Sequence, residues 1–139
     1  MVHDYGAGQR FASLHVEMDA REDPLGCHEL IDDMERECYV NHNVKLVIHY
    51  DPVVTDDPEL TRMKEKAKVA LKTIDDRLTL HDFRMVQGKE HTNLIFDVAL
   101  PSDLNSRSQA ILQELTEKIN EGEDKTYYLV ITFDAAAFN

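Results

Sequence analysis

No stretch of this chain approaches the run of about 20 apolar residues that a helix needs to cross a bilayer. The N-terminus also lacks a basic-then-apolar signal pattern, so these residues are expected to be soluble and cytosolic, with no direct membrane insertion. Cysteine is scarce. Cys27 and Cys38 are the only two, they form no Cys-x-x-Cys pair, and both fall on the apolar stripe of one predicted helix. Reduced thiols serving as small hydrophobes are expected there, and a structural disulfide is not. Positive charge is short as well: 15 Lys and Arg stand against 27 Asp and Glu, a formal charge of −12. That field repels a phosphate backbone, which sets aside nucleic acid and anionic lipid as partners. Divalent cations and basic protein surfaces are compatible with it.

With 42% hydrophobic residues in 139, the chain can bury one ordinary core or two small ones. Its most informative feature is that it repeats itself. The first half runs Val2-His3-Asp4-Tyr5, then Phe11-Ala12-Ser13-Leu14-His15-Val16-Glu17-Met18, then an amphipathic stretch from Pro24, then Leu46-Val47-Ile48-His49-Tyr50-Asp51. The second half answers in the same order. It has Leu80-His81-Asp82-Phe83, then Asn93-Leu94-Ile95-Phe96-Asp97-Val98-Ala99-Leu100, a helical stretch after Pro101, and Leu129-Val130-Ile131-Thr132-Phe133-Asp134.

Period-two alternation predicts the strands. Ala12, Leu14, Val16 and Met18 share one face and leave Ser13, His15 and Glu17 on the other. Val44, Leu46, Ile48 and Tyr50 form a second apolar row opposite Lys45, His49 and Asp51, with Val47 as the exception. Helical spacing relates Cys27, Leu30, Ile31, Met34 and Cys38, behind Asp23 as N-cap and Pro24 at the first helical position. Leu60, Met63, Ala67, Ala70, Leu71 and Ile74 make a second stripe opened by Asp57-Pro58. Ile111, Leu112, Leu115 and Ile119 make a third that closes near Gly122.

The second half therefore reads helix, strand, strand, helix, strand, and the first half reads the same without its opening helix. The expected fold is α+β: two tandem ferredoxin-like or metallochaperone-like units, each a mixed three-stranded sheet with its helices on one face. Residues 52–58, with two prolines and two aspartates, mark the boundary, giving units over residues 1–55 and 56–139.

Five of the seven histidines lie in the first unit: His3, His15, His28, His42 and His49. Alternation puts His15, His49 and Asp51 on faces away from the apolar rows, with His3 on the strand segment before them. A His-x-Asp pair on one strand offers an imidazole and a carboxylate pointing the same way, a donor set that suits zinc. An exposed sheet histidine is also commonly just a solvated side chain, and spacing alone does not separate the two. His28 sits one position off the helix stripe beside Asp32 and Glu35, where it can reach a neighbouring subunit. His42 and His91 read as solvated loop residues. A second, weaker cation site is conceivable around His81, Asp97 and Asp134, although Thr132 stands where the first unit has His49.

The segments Val2-His3-Asp4, Phe11 to Met18, His28-Glu29-Leu30-Ile31-Asp32 and Val47-Ile48-His49-Tyr50-Asp51-Pro52 together resemble the C-terminal cytosolic domain of the cation diffusion facilitator family of proton-coupled metal exporters. The resemblance spans residues 2–53, and the second unit goes beyond the domain common to most of the family. It implies metal ligands at His3, His15, His49 and Asp51, with His28 completing a site from the other subunit of a homodimer. It further implies a transmembrane domain in the same full-length chain, so that this part would be the cytoplasmic domain of an integral membrane protein. The metal implied is zinc, with iron, manganese, cobalt, nickel and cadmium compatible with the same donors. The expected role is regulatory, not enzymatic: a hydrolase using Asp51 or Glu17 as general base would need a nucleophile or phosphate loop, and none is readable. The alternative is an independent metallochaperone or metal-storage protein, against which stands the missing Cys-x-x-Cys.

Overall fold

A computed structural model describes residues 1–4, 8 and 10–135. Tyr5, in the opening segment of the first repeat, lies outside the described residues. The chain is α+β and divides into two compact units, Met1–Val53 and Val54–Asn139, each built on a three-stranded mixed sheet.

In the first unit, β1 (Val2–Asp4) pairs antiparallel with β2 (Arg10–Asp19), and β2 pairs parallel with β3 (Val44–Val53), giving the order β1-β2-β3. A parallel pair needs a long crossover, and α1 (Pro24–His42) supplies it. The expected start is present: Asp23 accepts a hydrogen bond from the Leu25 amide, and Pro24 opens the helix. Its end differs from expectation. His42 is the last helical residue, not a turn residue, because Asn43 takes the left-handed conformation (φ 52°) and turns its N–H back onto the Cys38 and Tyr39 carbonyls. An asparagine can stop a helix in this way as glycine does. Cys27 and Ile31 are buried, and both thiols are free.

The second unit begins with α2 (Pro58–Ile74), capped by Asp57, and continues through β4 (Thr79–Gln87), β5 (His91–Leu100), a 3-10 turn (Ser102–Arg107), α3 (Ser108–Asn120) and β6 (Thr126–Ala135). Its sheet repeats the topology as β4-β5-β6, with β5 and β6 parallel. Here the helix layer is complete. Met63, Ala67 and Leu71 of α2 and Leu115 and Ile119 of α3 close over Leu94, Phe96 and Val98 in one core. Leu80 and Phe83 are three apart on one strand yet both buried, because the register slips between His81 and Arg84, where Asp82 adopts φ 53°. Such a bulge re-aims the side chains that follow it.

In both units a helix side chain is fixed to the backbone of the outer strand. Glu35 of α1 accepts from the Ile48 amide at 2.9 Å. Asn120, the last residue of α3, accepts from the Tyr127 amide at 2.7 Å and donates to the Tyr127 carbonyl at 2.9 Å.

A polar cluster ties α2 to the turn after α3. Glu123, whose side chain is only 10% exposed, takes Arg62 through both oxygens (2.7 and 3.0 Å) and Lys66 at 2.9 Å. The Arg62 guanidinium, then the Lys66 ammonium, hold its carboxyl down at about 2, against an ordinary 4.5. Glu59, at the start of α2, is lowered by the Tyr127 hydroxyl that donates to it at 2.6 Å and by Lys125 and Gln87. Burial and that same bond push the Tyr127 phenol up. A carboxylate with a depressed folded value stabilises fully above its unfolded value, and the contribution is lost as pH falls through the folded one. The second unit should therefore lose stability between about pH 4.5 and 2. Glu123→Gln is expected to cost on the order of 2 kcal/mol at neutral pH and to flatten that acid limb, as measured by urea unfolding across pH. A variant as stable as the parent with an unchanged acid limb would show the cluster to be inert.

Candidate metal centre

The two sheet faces of the first unit differ because strand residues alternate and the register is unbroken. In β2 and β3 the pairs Leu14↔Ile48 and Val16↔Tyr50 belong to the face that carries the apolar rows. Between them lie Phe11↔Lys45, Ser13↔Val47, His15↔His49 and Glu17↔Asp51, which share the opposite face. Along that face the chemistry changes step by step. The Lys45 ammonium sits over the Phe11 ring at 5.8 Å, an exposed Val47 follows, then two imidazoles, then two carboxylates.

The imidazoles are the centre of the arrangement. His15 and His49 stack with centroids 5.2 Å apart and planes 29° from parallel. The Asp51 carboxylate lies diagonally across, its Oδ2 3.4 Å from Nδ1 of His15. Both His15 and Asp51 are open to solvent, at 70% and 39% of side-chain area, so a cation from solution can reach them without moving the fold. Glu17, directly opposite Asp51, adds a second carboxylate at the same step. Alternation already placed Glu17 on this face, but only the β2–β3 register puts it against Asp51. Asp19, the next carboxylate along, is taken by its neighbour: both its oxygens meet the Arg21 guanidinium at 2.9 and 3.1 Å, which holds its carboxyl at about 2.

The other two expected ligands stand elsewhere. His3 is on the same face but pairs with Phe11, four residues from His15, which is about 13 Å along a strand. In the second unit the residue matching His3, His81, pairs with Asp97, which matches His15. The first hairpin is four residues shorter between the corresponding positions, so its register ends up elsewhere. His28 is on α1, 71% exposed, with its Nε2 3.8 Å from Asp32 one turn on. His91, expected in a loop, is the first residue of β5, and its ring meets the edge of Tyr128 at 5.2 Å. His81, Asp97 and Asp134 share one face of the second sheet, where Asp97 faces Thr132 and Asp134 lies beside Ala99.

Two imidazoles and a carboxylate match zinc in donor type. Among the described residues, however, no three His, Cys, Asp or Glu side chains are gathered closely enough to enclose an ion. The first unit thus presents two imidazoles and a carboxylate on an open face, not the four gathered ligands of a closed structural site. Among the described residues no helix is long and apolar enough to cross a membrane. No family model, no curated protein and no solved structure matches this chain.

The pairing of His15 with His49 makes them a unit. On titration with Zn²⁺ their imidazole NMR resonances should move together, while those of His42 and His91 stay in place. Independent movement of His15 and His49, or equal movement at His42, would dissolve the centre drawn here.

Proposed function

We propose that this chain is the cytosolic regulatory and dimerisation domain of a proton-coupled divalent-cation efflux transporter, of the cation diffusion facilitator kind. The observation that carries the reading is the stacked His15–His49 pair with Asp51 against it on an open sheet face. The strand-strand-helix-strand order of the first unit is in keeping with it.

The domain works by linkage. His15, His49 and Asp51 would hold zinc or a similar cation from one protomer, and His28 of a second copy would add a donor that the first cannot reach. A cation bound more tightly by the paired state than by the separated one must favour pairing. The net charge of −12 sets the opposing term, since two such copies repel each other until cations neutralise part of the seam. The membrane part of the transporter would then be biased towards its exporting conformation.

Calorimetric titration with Zn²⁺, Mn²⁺ and Fe²⁺, joined to sedimentation, tests the reading. Zinc is expected to bind and to shift the protein towards a two-fold dimer. Asp51→Ala should weaken binding beyond the roughly 10–100-fold that loss of a supporting residue typically costs. His28→Ala should leave binding within one protomer and weaken zinc-driven association. Affinity should also fall as pH drops through about 6.5, the ordinary imidazole value, because a protonated ring cannot coordinate. A chain that stays monomeric and binds none of the three cations would end this proposal.

A further inference from the structure

The second sheet has an outer strand, β4, whose free border is only partly paired. Among the described residues Val54 alone bonds to that side: Met85 gives its carbonyl to the Val54 amide at 2.8 Å and its amide to the Val54 carbonyl at 3.1 Å. These bonds fix which way the backbone points along the rest of the strand. Since Met85 turns its backbone groups away from Leu94 opposite, the rungs that bond β4 to β5 are Arg84↔Ile95, His81↔Asp97 and Thr79↔Ala99. Leu80, between the last two, therefore turns its own N–H and C=O to the outer border, where no described residue takes either.

Along that border runs one flank of α2, antiparallel to β4. Glu59 at the helix start meets Gln87 at the strand end, and the later turns of the helix lie over Leu78 and Leu80. The cations of α2 divide between its two flanks. Arg62 and Lys66 are taken by Glu123 and the Glu121 carbonyl on the side of α3. Lys64, Lys68 and Lys72 recur at a spacing of four on the opposite flank, beside β4. Glu65, 3.5 Å from Lys68, and the Asp76 carbonyl, 2.7 Å from Lys72, offset little of that row. Like charges four apart on a helix repel, and here they do so on a chain whose formal charge is −12. Between this flank and the start of β4 lies a cavity of about 280 Å³, walled by the buried Leu71, Leu78 and Leu80 and edged by the exposed Lys68, Lys72 and Thr79.

We propose that this border is a docking groove for an extended, acidic segment of a partner protein, which adds to β4 at Leu80 as Val54 does at Met85. The free N–H and C=O of Leu80 supply the strand-to-strand bonds. The residue set opposite Leu80 points to the same side as the Leu80 side chain, so an aliphatic one fills the cavity. Its neighbours two places away share that side and, as Asp or Glu, meet the lysines. The spacings agree: residues four apart on a helix are about 6 Å apart along its axis, and residues two apart on a strand about 6.6 Å. A nucleic acid would meet an acidic remainder of the surface and leave the Leu80 groups unused. A second copy paired β4 to β4 would bring two lysine rows together.

The test selects a phage-displayed library of random linear peptides against the immobilised full chain in EDTA, which keeps cation binding out of the result. Enriched peptides should carry Asp or Glu two places from an aliphatic residue. Synthesised and titrated, they should slow amide exchange at Leu80 and lose about tenfold or more in affinity when Lys64, Lys68 and Lys72 are all replaced by Glu. Unchanged exchange at Leu94 and Phe96 checks that this variant is folded. N-methylation of the peptide at the residues flanking the aliphatic one should abolish binding to the parent chain, an arm that needs no variant. A selection that enriches nothing, or peptides that bind the lysine variant equally or leave Leu80 exchange unaltered, overturns the proposal. Slowing of Leu80 exchange by a single-stranded oligonucleotide, or by self-association of the chain alone, overturns it as well by naming a different occupant.

Discussion

The parallel pairing of β2 with β3 is the constraint from which the rest of the first unit follows. Its register runs unbroken from Arg10↔Val44 to Asp19↔Val53. A slip of one residue would put His15 and His49 on opposite faces and turn the apolar rows out to water. Two features oppose that slip. Ile48 and Val16 must lie on the helix side, and Glu35 fixes the Ile48 amide from above. The face bearing His15 and His49 thus inherits its order from burial on the other face, without a core of its own.

The same architecture is stabilised unevenly. The second unit encloses its sheet under two helices and locks α2 to the end of α3 through Glu123, Arg62 and Lys66. The first has one helix and a short buried list, chiefly Cys27, Ile31, Ile48 and Val53. An incompletely covered unit opens more readily, and ligand-responsive segments are generally drawn from that low-stability end. The complete unit has Thr132 at the position matching His49.

Much of this was legible in the sequence because burial leaves a period. Alternation at Ala12, Leu14 and Val16 and helical spacing at Leu60, Met63 and Ala67 gave strands, helices and the tandem repeat. Asp23-Pro24 and Asp57-Pro58 marked helix starts, since a carboxylate cap and a proline lacking N–H both suit that position. Register was harder. His3 falls four residues from His15 because antiparallel pairing is set by the hairpin between them, whose geometry leaves no periodic trace. The end of α1 beyond His42 and the slip after His81 depend on single residues, Asn43 and Asp82, in left-handed conformations that alternation does not report. Glu17 showed its face but not its partner.

The carboxylate of Glu35 on the Ile48 amide, and the Asn120 amide on both backbone groups of Tyr127, have a meaning beyond holding helix to sheet. β3 and β6 are outer strands, and an outer strand with free backbone groups invites another chain to extend the sheet. Pro52, which lacks an N–H, lies at the same parity as Ile48 and removes a further donor from that border. Both sheets are thus hemmed along one side, and growth by strand addition is barred there. In the first unit that border runs beside the face bearing the imidazoles, which is left open to solvent without the edge next to it inviting another strand.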